Sequence, residues 1–341
     1  MRTRTGRRDR RLVMGNASPM AHTGGVDLGG TKIQVAIVAT GGEVVGQARR
    51  PTPTQGGPKD VVDEIAAALR EAADEAGVKT SDLVGIGIGS PGKVDDSAGT
   101  VAGARNLPGW EGSFDVRKAL HKACGAQVSL GNDVQVATDA EFALGAGRDY
   151  PSLLGVFWGT GVGGGIVLDG EPWIGRDAAG EIGHVVVRAG GALCGCGRRG
   201  CMEAYAGRAS MEARARRRHS RGERTVLFKI MEERGRTRLT SGVWARALDK
   251  GDPVARNLLD RAVRALGAGI ASTQNVLDVE AIIIGGGLGL RLGEPWVERI
   301  REAMMPHLFN DERPPAVMLA ELGDLGGAIG ASLLVKSAAK A

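Results

Sequence analysis

The chain has 341 residues, 43% of them hydrophobic and 24% charged, which is typical of a globular protein and, by length, of two domains. Aromatic residues make up only 4%, too few to indicate a surface that stacks nucleic-acid bases. The net charge of +5 arises within the first eleven residues, which hold six arginines and one aspartate. No segment approaches the ~18–20 continuous apolar residues of a membrane helix. Composition therefore predicts neither a nucleic-acid partner nor a membrane partner.

Residues 1–24 are predicted to form a disordered basic tail, because they are rich in arginine and contain no apolar run. The missing apolar run also argues against a secretory signal. Of the four cysteines, only Cys124 lies outside one short cluster, so no disulfide pairing is indicated. This cysteine usage predicts a reducing, cytoplasmic location.

Strand and helix patterns alternate along the first half of the chain. A strand, a Gly-Gly-Thr-Lys turn and a second strand occupy residues 26–39. The predicted elements that follow are a strand at 43–48, a helix at 59–76, a strand at 83–89, a short strand at 128–130 and a helix at 134–145.

The second half opens with the same strand–turn–strand pattern, here a strand at 153–158, a glycine loop at 159–165 and a strand from residue 166. The elements predicted after it are helices at 207–218, 243–248, 253–277 and 326–337 and a buried strand at 281–285. The repeated unit indicates an α/β fold with an internal duplication.

Two segments match the pattern G-x-G-x-x-G, at 87–92 and 159–164, but neither is followed by a helix pattern. A dinucleotide-binding unit is therefore not predicted, and the sequence contains no G-x-x-x-x-G-K-[ST] loop. Glycine turns between strands are often ordinary hairpins, yet they also let backbone N–H groups converge on an anion. Thr31, Lys32 and Thr160 add donors at the two strand–turn–strand units. We expect these two turns to hold two ends of one polyphosphate.

Two aspartates lie at the ends of predicted strands. Asp27 ends the first strand beside its turn, where a carboxylate suits the water shell of Mg2+; an Asx-type turn is the alternative. Asp133 follows the strand at 128–130, and side chains at the carboxyl ends of strands face the ligand crevice of open α/β sheets. It is predicted to be a general base for phosphoryl transfer, with a helix N-cap as the alternative interpretation.

The segment from Glu181 to Glu203 contains a His-x9-Cys-x-Cys-x4-Cys set. Three thiolates and one imidazole are typical ligands of a closed tetrahedral zinc site, which predicts a metal site at His184, Cys194, Cys196 and Cys201. The glutamates at both ends of the segment indicate a site that holds a polar ligand. A zinc knuckle that only fastens a loop is the plainer interpretation, and a structural metal is compatible with both.

Six motifs together resemble the ROK family of sugar kinases, and most closely its bacterial glucokinases. They are DLGGTK at 27–32, GSPG at 89–92, NLPGW at 106–110, GND at 131–133, GTGVGGG at 159–165, and EIGH with CGCGRRGCME at 181–203. The resemblance covers roughly residues 24–335. It implies the actin-like ATPase fold, which is ribonuclease H-like and has two duplicated α/β domains with a cleft between them.

The resemblance also implies roles for individual residues. ATP phosphates and Mg2+ would face Asp27, Gly29, Gly30, Thr31 and Lys32 from one domain and Gly159, Thr160, Gly161, Gly163 and Gly164 from the other, with Gly286 and Gly287 beside the adenosine. Asp133 would be the catalytic base, and sugar hydroxyls would be bound by Asn106, Asn132, Asp133, Glu181, His184 and Glu203. Zinc would be structural, and His184 would serve both the metal and the sugar because metal ligation fixes its ring.

As a whole, the resemblance implies ATP-dependent phosphorylation of the glucose 6-hydroxyl by a homodimer or homotetramer. The domains would be residues 25–131, with helix 326–341 packed against them, and residues 132–325, which contain the zinc motif. The residues leave open a different hexose or N-acetylhexosamine (mannose, fructose, N-acetylglucosamine or N-acetylmannosamine) and polyphosphate as the donor.

A non-enzymatic role is the remaining alternative. Transcriptional repressors of the same family carry an N-terminal helix-turn-helix domain of ~60–80 residues, for which the stretch before Gly25 is too short. The presence of Asp133 and of both glycine turns also argues against a sugar binder without catalytic activity.

Overall fold

The computed structural model describes residues 21–104, 106–176 and 178–335. The first strand begins at His22, so the predicted tail is too long at its carboxyl end. The rest of that tail, and the last residues of the predicted helix 326–341, lie outside the described residues. None of the described helices is both long and apolar enough to cross a membrane.

Strands and helices alternate in the first half. They are β1 (His22–Leu28), β2 (Lys32–Ala39), β3 (Val44–Pro51), α1 (Pro58–Glu75), β4 (Gly85–Ser90), β5 (Lys93–Asp95), β6 (Thr100–Ala102), β7 (Ser113–Asp115), α2 (Val116–Cys124), β8 (Val128–Asn132) and α3 (Asp133–Leu144). Five of the strands form a sheet in the order β3-β2-β1-β4-β8, and β5, β6 and β7 form a small antiparallel sheet.

Strands at both ends of the second half enclose a group of helices. The elements are β9 (Leu153–Trp158), β10 (Val162–Leu168), β11 (Glu171–Pro172), α4 (Glu203–Ala206), α5 (Arg208–Ser220), α6 (Leu227–Glu233), α7 (Ser241–Asp249), α8 (Pro253–Leu277), β12 (Ala281–Gly285), α9 (Gly286–Leu292), α10 (Glu294–Met304), β13 (Ala316–Leu319) and α11 (Gly326–Leu333). Their sheet has the order β11-β10-β9-β12-β13.

The two five-stranded sheets have the same topology. In each, the first strand is antiparallel to the second, and the second is antiparallel to the third. The first strand is also parallel to the fourth, which is parallel to the fifth. This repeat is the internal duplication that the sequence indicated.

Each sheet has its own hydrophobic core, as expected of two domains. In the first core, α1 buries Ile65 and Leu69 at helical spacing, in the same cluster as Trp110. In the second, the long helix α8 contributes Leu266 to a cluster that contains Trp158 and Trp244. Pro253 and Asp252 define the start of α8: the proline needs no hydrogen bond at the first helical position, and the Asp252 carboxylate accepts from Ala255 N at 2.7 Å.

The helices α3 and α11 pack against each other, and α11 also packs on β1 and β4 of the first sheet. This approach is so close that only glycine fits at the contacts. A β-carbon added to Gly25 would lie 1.9 Å from Ala328 O, and one added to Gly330 would lie 1.9 Å from Val136 O. Helix α11 is therefore packed on the first sheet, beside α3.

Several elements were absent from the sequence prediction. The small sheet β5–β7 has strands of three residues each, too short to produce a period-2 pattern. The helices α2, α6, α9 and α10 and the strand β13 were also missed. By contrast, the predicted bounds of β9, α8 and β12 are those of the structure, because these are long or continuously apolar.

Candidate active site

Asp27 and Asp133 lie at the same edge of the first sheet. β1, β4 and β8 are parallel, so their carboxyl ends meet at one edge. In the sheet register Asp27 pairs with Gly89, and Gly89 pairs with Gly131, two residues before Asp133. The topology thus brings together two carboxylates that are 106 positions apart in the sequence.

In the turn between β1 and β2, backbone carbonyl groups accept hydrogen bonds, whereas two backbone N–H groups have no partner among the described residues. Gly29 N donates to Lys32 O at 3.0 Å. Thr52 donates from its backbone N to Thr31 O at 3.2 Å and from Oγ1 to Gly29 O at 2.6 Å. Among the described residues, the N–H groups of Gly30 and Thr31 have no hydrogen-bond partner. Two unpaired N–H groups at an exposed turn can bind an anion.

The turn between β9 and β10 repeats this arrangement in the second sheet. Gly159 N donates to Gly161 O at 3.0 Å, Arg208 N donates to Gly159 O at 3.1 Å, and Ala209 N donates to Thr160 O at 3.0 Å. Within the part of the chain that the structure describes, the N–H groups of Thr160 and Gly161 are left without a partner. Each domain therefore presents a glycine turn with two N–H groups that can bind an anion.

The glycines at the start of α9 lie beside this second turn. β9 and β12 are parallel, with Phe157 paired to Gly285, so Gly286 and the β9–β10 turn are at one edge of the sheet. A β-carbon added to Gly159 would lie 3.9 Å from Gly287 N.

Gly163 and Gly164 do not belong to the second turn. β10 begins at Val162, so the predicted loop at 159–165 is too long and both glycines lie inside a strand. Their lack of a side chain serves packing: an added β-carbon would lie 2.7 Å from Val134 Cγ2 at Gly163 and 2.6 Å from Ile182 Cγ2 at Gly164. The turn itself comprises residues 159–161.

Asp27 is a half-buried carboxylate with one cation nearby. Burial raises the pKa of Asp27 to about 6; the charge of Lys32 opposes that shift, and the charge of Asp324 adds to it. Lys32 Nζ lies 3.5 Å from Asp324 Oδ1 and also donates to Gln34 Oε1. Lys32 therefore contacts both acidic and amide side chains at this edge.

The pKa of Asp133 also lies above the usual range of a carboxyl group. Burial is the main cause that raises its pKa to about 7, and the negative charges of Asp27 and Glu181 contribute in the same direction. A hydrogen bond from Val134 N to its Oδ1 at 3.0 Å partly offsets this shift. A carboxyl group with a pKa near 7 is suited to exchange a proton at neutral pH.

The N-cap of α3 is Asn132, and the alternative interpretation of Asp133 as the cap is wrong. Asn132 Oδ1 accepts from Val134 N at 3.0 Å and from Gln135 N at 3.1 Å. Asp133 occupies the first position of the helix. Because its neighbour caps the helix, Asp133 is not needed for that purpose.

Asn106 is exposed beside the first turn. A β-carbon added to Gly30 would lie 3.0 Å from Asn106 Nδ2. The same motif is anchored by Trp110, which is buried and donates from Nε1 to Val101 O at 3.0 Å. Trp110 thus holds the NLPGW loop in place, with the side-chain amide of Asn106 beside the β1–β2 turn.

The two ring nitrogens of His184 face different groups. Nδ1 lies 3.9 Å from Cys194 Sγ, and Nε2 lies 3.7 Å from Glu181 Oε2. Glu181 is exposed, and its charge acts on Asp133, so Nε2 of the histidine lies on the side of these two carboxylates. The double role of His184 stays a prediction.

Glu203 connects the cysteine cluster to the second turn. Its Oε2 accepts from Val162 N at 3.0 Å, and its Oε1 lies 3.7 Å from Cys194 Sγ. A β-carbon added to Gly161 would lie 2.2 Å from Glu203 Oε2. The sequence predicted Glu203 as a sugar ligand, but its contact with the second turn could not be inferred from the spacing.

The four predicted metal ligands converge on one point. Their ligand atoms, from His184, Cys194, Cys196 and Cys201, all lie within 4.8 Å of one another. The Sγ atoms of Cys196 and Cys201 are 3.8 Å apart. A tetrahedral zinc ion with Zn–S bonds of about 2.3 Å separates its sulfur ligands by about 3.8 Å. The donor set and its spacing therefore fit zinc.

Arg208 is a residue of the site that the sequence analysis did not identify. Its Nη2 donates to Thr160 Oγ1 at 2.7 Å, and its Nη1 donates to Leu239 O at 3.0 Å. It lies 48 positions after Thr160 in an arginine-rich helix, so no local pattern distinguishes it from the solvent-exposed arginines that follow.

Two domains share one sheet topology, and in each a glycine turn joins the first two strands. This arrangement is the actin-like ATPase fold. The sequence profile of the ROK family matches residues 23–338. The chain belongs to the ROK family.

Individual relatives agree with this assignment. The glucokinase of Thermotoga maritima is 32% identical over 320 residues, 92% of this chain and 96% of the relative. The N-acetylmannosamine kinase of Haemophilus influenzae is 32% identical over 317 residues, 91% of this chain and 94% of the relative. The crystal structure of a ROK family glucokinase from Streptomyces griseus in complex with glucose and AMPPNP aligns with a TM-score of 0.79 and 32% identity, covering 92% of this chain and 99% of that one.

Proposed function

We propose that this protein is a glucokinase, which transfers the γ-phosphoryl group of ATP to the 6-hydroxyl of D-glucose. The observation that carries the proposal is the position of Asp133: a carboxyl group with a pKa near 7, at the edge that also holds Asp27 and the first turn, and within the field of Glu181. The names of the Thermotoga and Streptomyces relatives, and the glucose and AMPPNP bound to the latter, support both substrates.

Asp133 is the general base of the proposed reaction. Its carboxylate accepts the proton of the 6-hydroxyl while that oxygen attacks the γ-phosphorus in line. The bond from the γ-phosphorus to the bridging oxygen breaks, ADP leaves with that electron pair, and the proton remains on Asp133 until product release. Closure of the two domains excludes water, which would otherwise compete with the sugar for the phosphoryl group.

The two turns hold the phosphates. The free N–H groups of Gly30 and Thr31 from one domain and of Thr160 and Gly161 from the other are placed to stabilise the charge on the phosphoryl oxygens. Mg2+ would enter with ATP, and the Asp27 carboxylate fits its water shell; when bound, the ion neutralises phosphate charge. Gly286 and Gly287 would lie along the adenosine.

The sugar hydroxyls are bound by Asn106, Asn132, Glu181, His184 and Glu203. Zinc at the Cys3His cluster is structural in this proposal. It would hold His184 by Nδ1 and leave Nε2 as a donor of fixed direction toward the sugar. The cluster thereby keeps the sugar-binding segment in shape and takes no part in phosphoryl transfer.

Another sugar is the main alternative, since the Haemophilus relative is named an N-acetylmannosamine kinase at the same identity. The test is a kcat/KM panel, with formation of the sugar phosphate as the readout, for glucose, mannose, fructose, N-acetylglucosamine and N-acetylmannosamine against ATP and against polyphosphate. We expect glucose with ATP to give the highest value. A higher value for an N-acetylated sugar contradicts the substrate assignment, and no turnover of any sugar contradicts the kinase assignment.

We further propose that the enzyme is a cytoplasmic homo-oligomer. All four cysteines are unpaired, as in proteins of a reducing compartment. Large apolar side chains at Phe309 (93% exposed) and Val276 (81% exposed) are of the kind that a subunit contact covers. Light scattering coupled to size-exclusion chromatography tests the assembly, and a monomeric mass at micromolar concentration contradicts it.

A further inference from the structure

Arg208 bridges three segments around the second turn. It is the first residue of α5, its backbone N donates to Gly159 O, and its guanidinium donates to Thr160 Oγ1 and Leu239 O. The three segments are α5 itself, the β9–β10 turn and the segment that leads into α7. A single side chain thus fixes the position of the turn that we propose to hold phosphate.

The charge of Arg208 is not neutralised by a carboxylate. Among the described residues Arg208 forms no ion pair, and its half-buried guanidinium has an Nε without a hydrogen-bond partner. The acidic group one turn along α5, Glu212, already accepts from Arg216 Nη2 at 2.7 Å and Leu239 N at 3.0 Å, and lies 3.6 Å from Arg238 Nε. An arginine that stays charged while partly desolvated favours an anion beside it.

The direction of the Thr160 hydrogen bond adds to this argument. An arginine side chain can only donate, so Thr160 Oγ1 must be the acceptor in this contact. The single hydrogen of the Thr160 hydroxyl is then available for another acceptor, and Thr160 is exposed. A donated bond from a cation also polarises the hydroxyl and makes it a better donor. The natural acceptor at this position is a phosphate oxygen.

We propose that Arg208 is a positioning residue for the phosphoryl donor: it orients the Thr160 hydroxyl and, through its positive charge, makes that hydroxyl a stronger donor to a phosphate oxygen. This inference rests on the proposed function, because it requires a nucleotide polyphosphate in the cleft. It concerns binding of the phosphoryl donor and assigns Arg208 no contact with the sugar.

The test compares Arg208→Gln, Arg208→Lys, Thr160→Val and the Arg208→Gln/Thr160→Val double variant. We expect Arg208→Gln to raise KM for ATP and Kd for AMPPNP about tenfold while KM for glucose and Kd for AMP change less than twofold. Arg208→Lys should recover part of the loss, because lysine can still donate to Thr160 Oγ1. Because Arg208 acts through Thr160, the double variant should bind AMPPNP no more than about twofold more weakly than Thr160→Val alone.

Arg216→Gln, two turns further along the same helix, is the matched control and should leave Kd for AMPPNP unchanged. If Arg208→Gln lowers Tm but binds AMPPNP like the wild type, Arg208 only fastens α5 and the inference is wrong. Fully additive effects of the two substitutions also contradict it. If the wild-type protein itself binds no AMPPNP, the proposed function fails instead, so the two failures are distinguishable.

Discussion

Asp133 illustrates how one residue can carry two plausible interpretations from its sequence alone. At the start of a predicted helix, an aspartate by itself favours a helix cap, and a catalytic base is the other interpretation. The structure separates them because Asn132 makes both capping contacts. The carboxyl group of Asp133 is left among other acidic groups, with a pKa raised to about 7 by burial and by Asp27.

This pKa predicts a pH dependence of activity. A carboxyl group that titrates near pH 7 is increasingly protonated below that value and then cannot accept a proton from the sugar. We expect kcat/KM for glucose to fall as the pH drops through about 7 and to approach a tenfold loss per pH unit below it. The measurement is a pH–rate profile from pH 5 to 9 at saturating ATP.

Asp139→Asn is the control for that profile. Asp139 is on the same helix and also has a raised pKa, about 6, because of burial, but it accepts a hydrogen bond from Gln135 and has no predicted role. Its substitution should leave the midpoint in place. A wild-type profile that is flat between pH 5.5 and 8 would show that Asp133 does not titrate as we describe.

Individual glycines mark the limit of prediction at this scale. The motif at 159–165 was expected to be one loop, yet the strand begins at Val162 and removes Gly163 and Gly164 from it. Glycine favours a turn and tolerates close packing for the same reason, the absence of a β-carbon. Only the side chains packed against each glycine, Val134 at Gly163 and Ile182 at Gly164, distinguish the two uses.

At the level of elements, the segment from Glu181 to Glu203 was predicted most completely. The spacing of one histidine and three cysteines was enough to predict a metal site, and the structure brings all four ligand atoms together. The same segment contains Glu203, which also accepts a hydrogen bond from Val162 N at the start of β10. Spacing cannot show such a contact, because it depends on how the segment folds over the neighbouring strand.

Loss of the metal should weaken sugar binding in particular. We expect Cys196→Ser to reduce bound zinc below the wild-type content, measured by elemental analysis, and to raise KM for glucose at least tenfold, because His184 and Glu203 lose their fixed positions. Kd for AMPPNP should stay within about threefold of the wild-type value. Cys124→Ser, at a buried cysteine of the first domain, is the control and should change neither constant.

That coupling is refuted if zinc-free protein has an unchanged KM for glucose and unchanged turnover. Equal weakening of glucose and AMPPNP would indicate general unfolding rather than a local effect on the sugar side.

The whole molecule is a duplication whose two halves meet at α3 and α11. The sequence revealed this through the repeated strand–turn–strand units at 26–39 and 153–170, and the sheet orders show the same repeat. It did not reveal the α3–α11 contact, because no local pattern indicates which helix pairs with which. The short elements of the first domain and the helices α9 and α10 were missed for a related reason, since their stability comes from tertiary packing.

The close packing of α3 on α11 predicts a specific sensitivity to size. Gly330→Ala should lower the free energy of unfolding by about 1–3 kcal/mol, because the added methyl group would overlap Val136 O and force the helices apart. Urea denaturation provides the measurement. Gly112→Ala, where an added β-carbon meets no atom within 4 Å, should change stability by less than about 0.5 kcal/mol. Equal stability of the two variants would mean that the helices adjust without cost.

In the proposed reaction, the molecule brings a sugar hydroxyl to Asp133 and a nucleotide phosphate to the two turns. The most direct measurement is single-turnover phosphorylation of glucose by Asp133→Asn, together with its Kd for glucose and with Asp139→Asn as the control. We predict that the single-turnover rate constant of Asp133→Asn falls by about 10²–10⁴-fold, as for loss of a general base, while Kd for glucose changes less than about threefold. A rate constant near that of the wild type, with normal glucose binding, would contradict the assignment of Asp133 as the base.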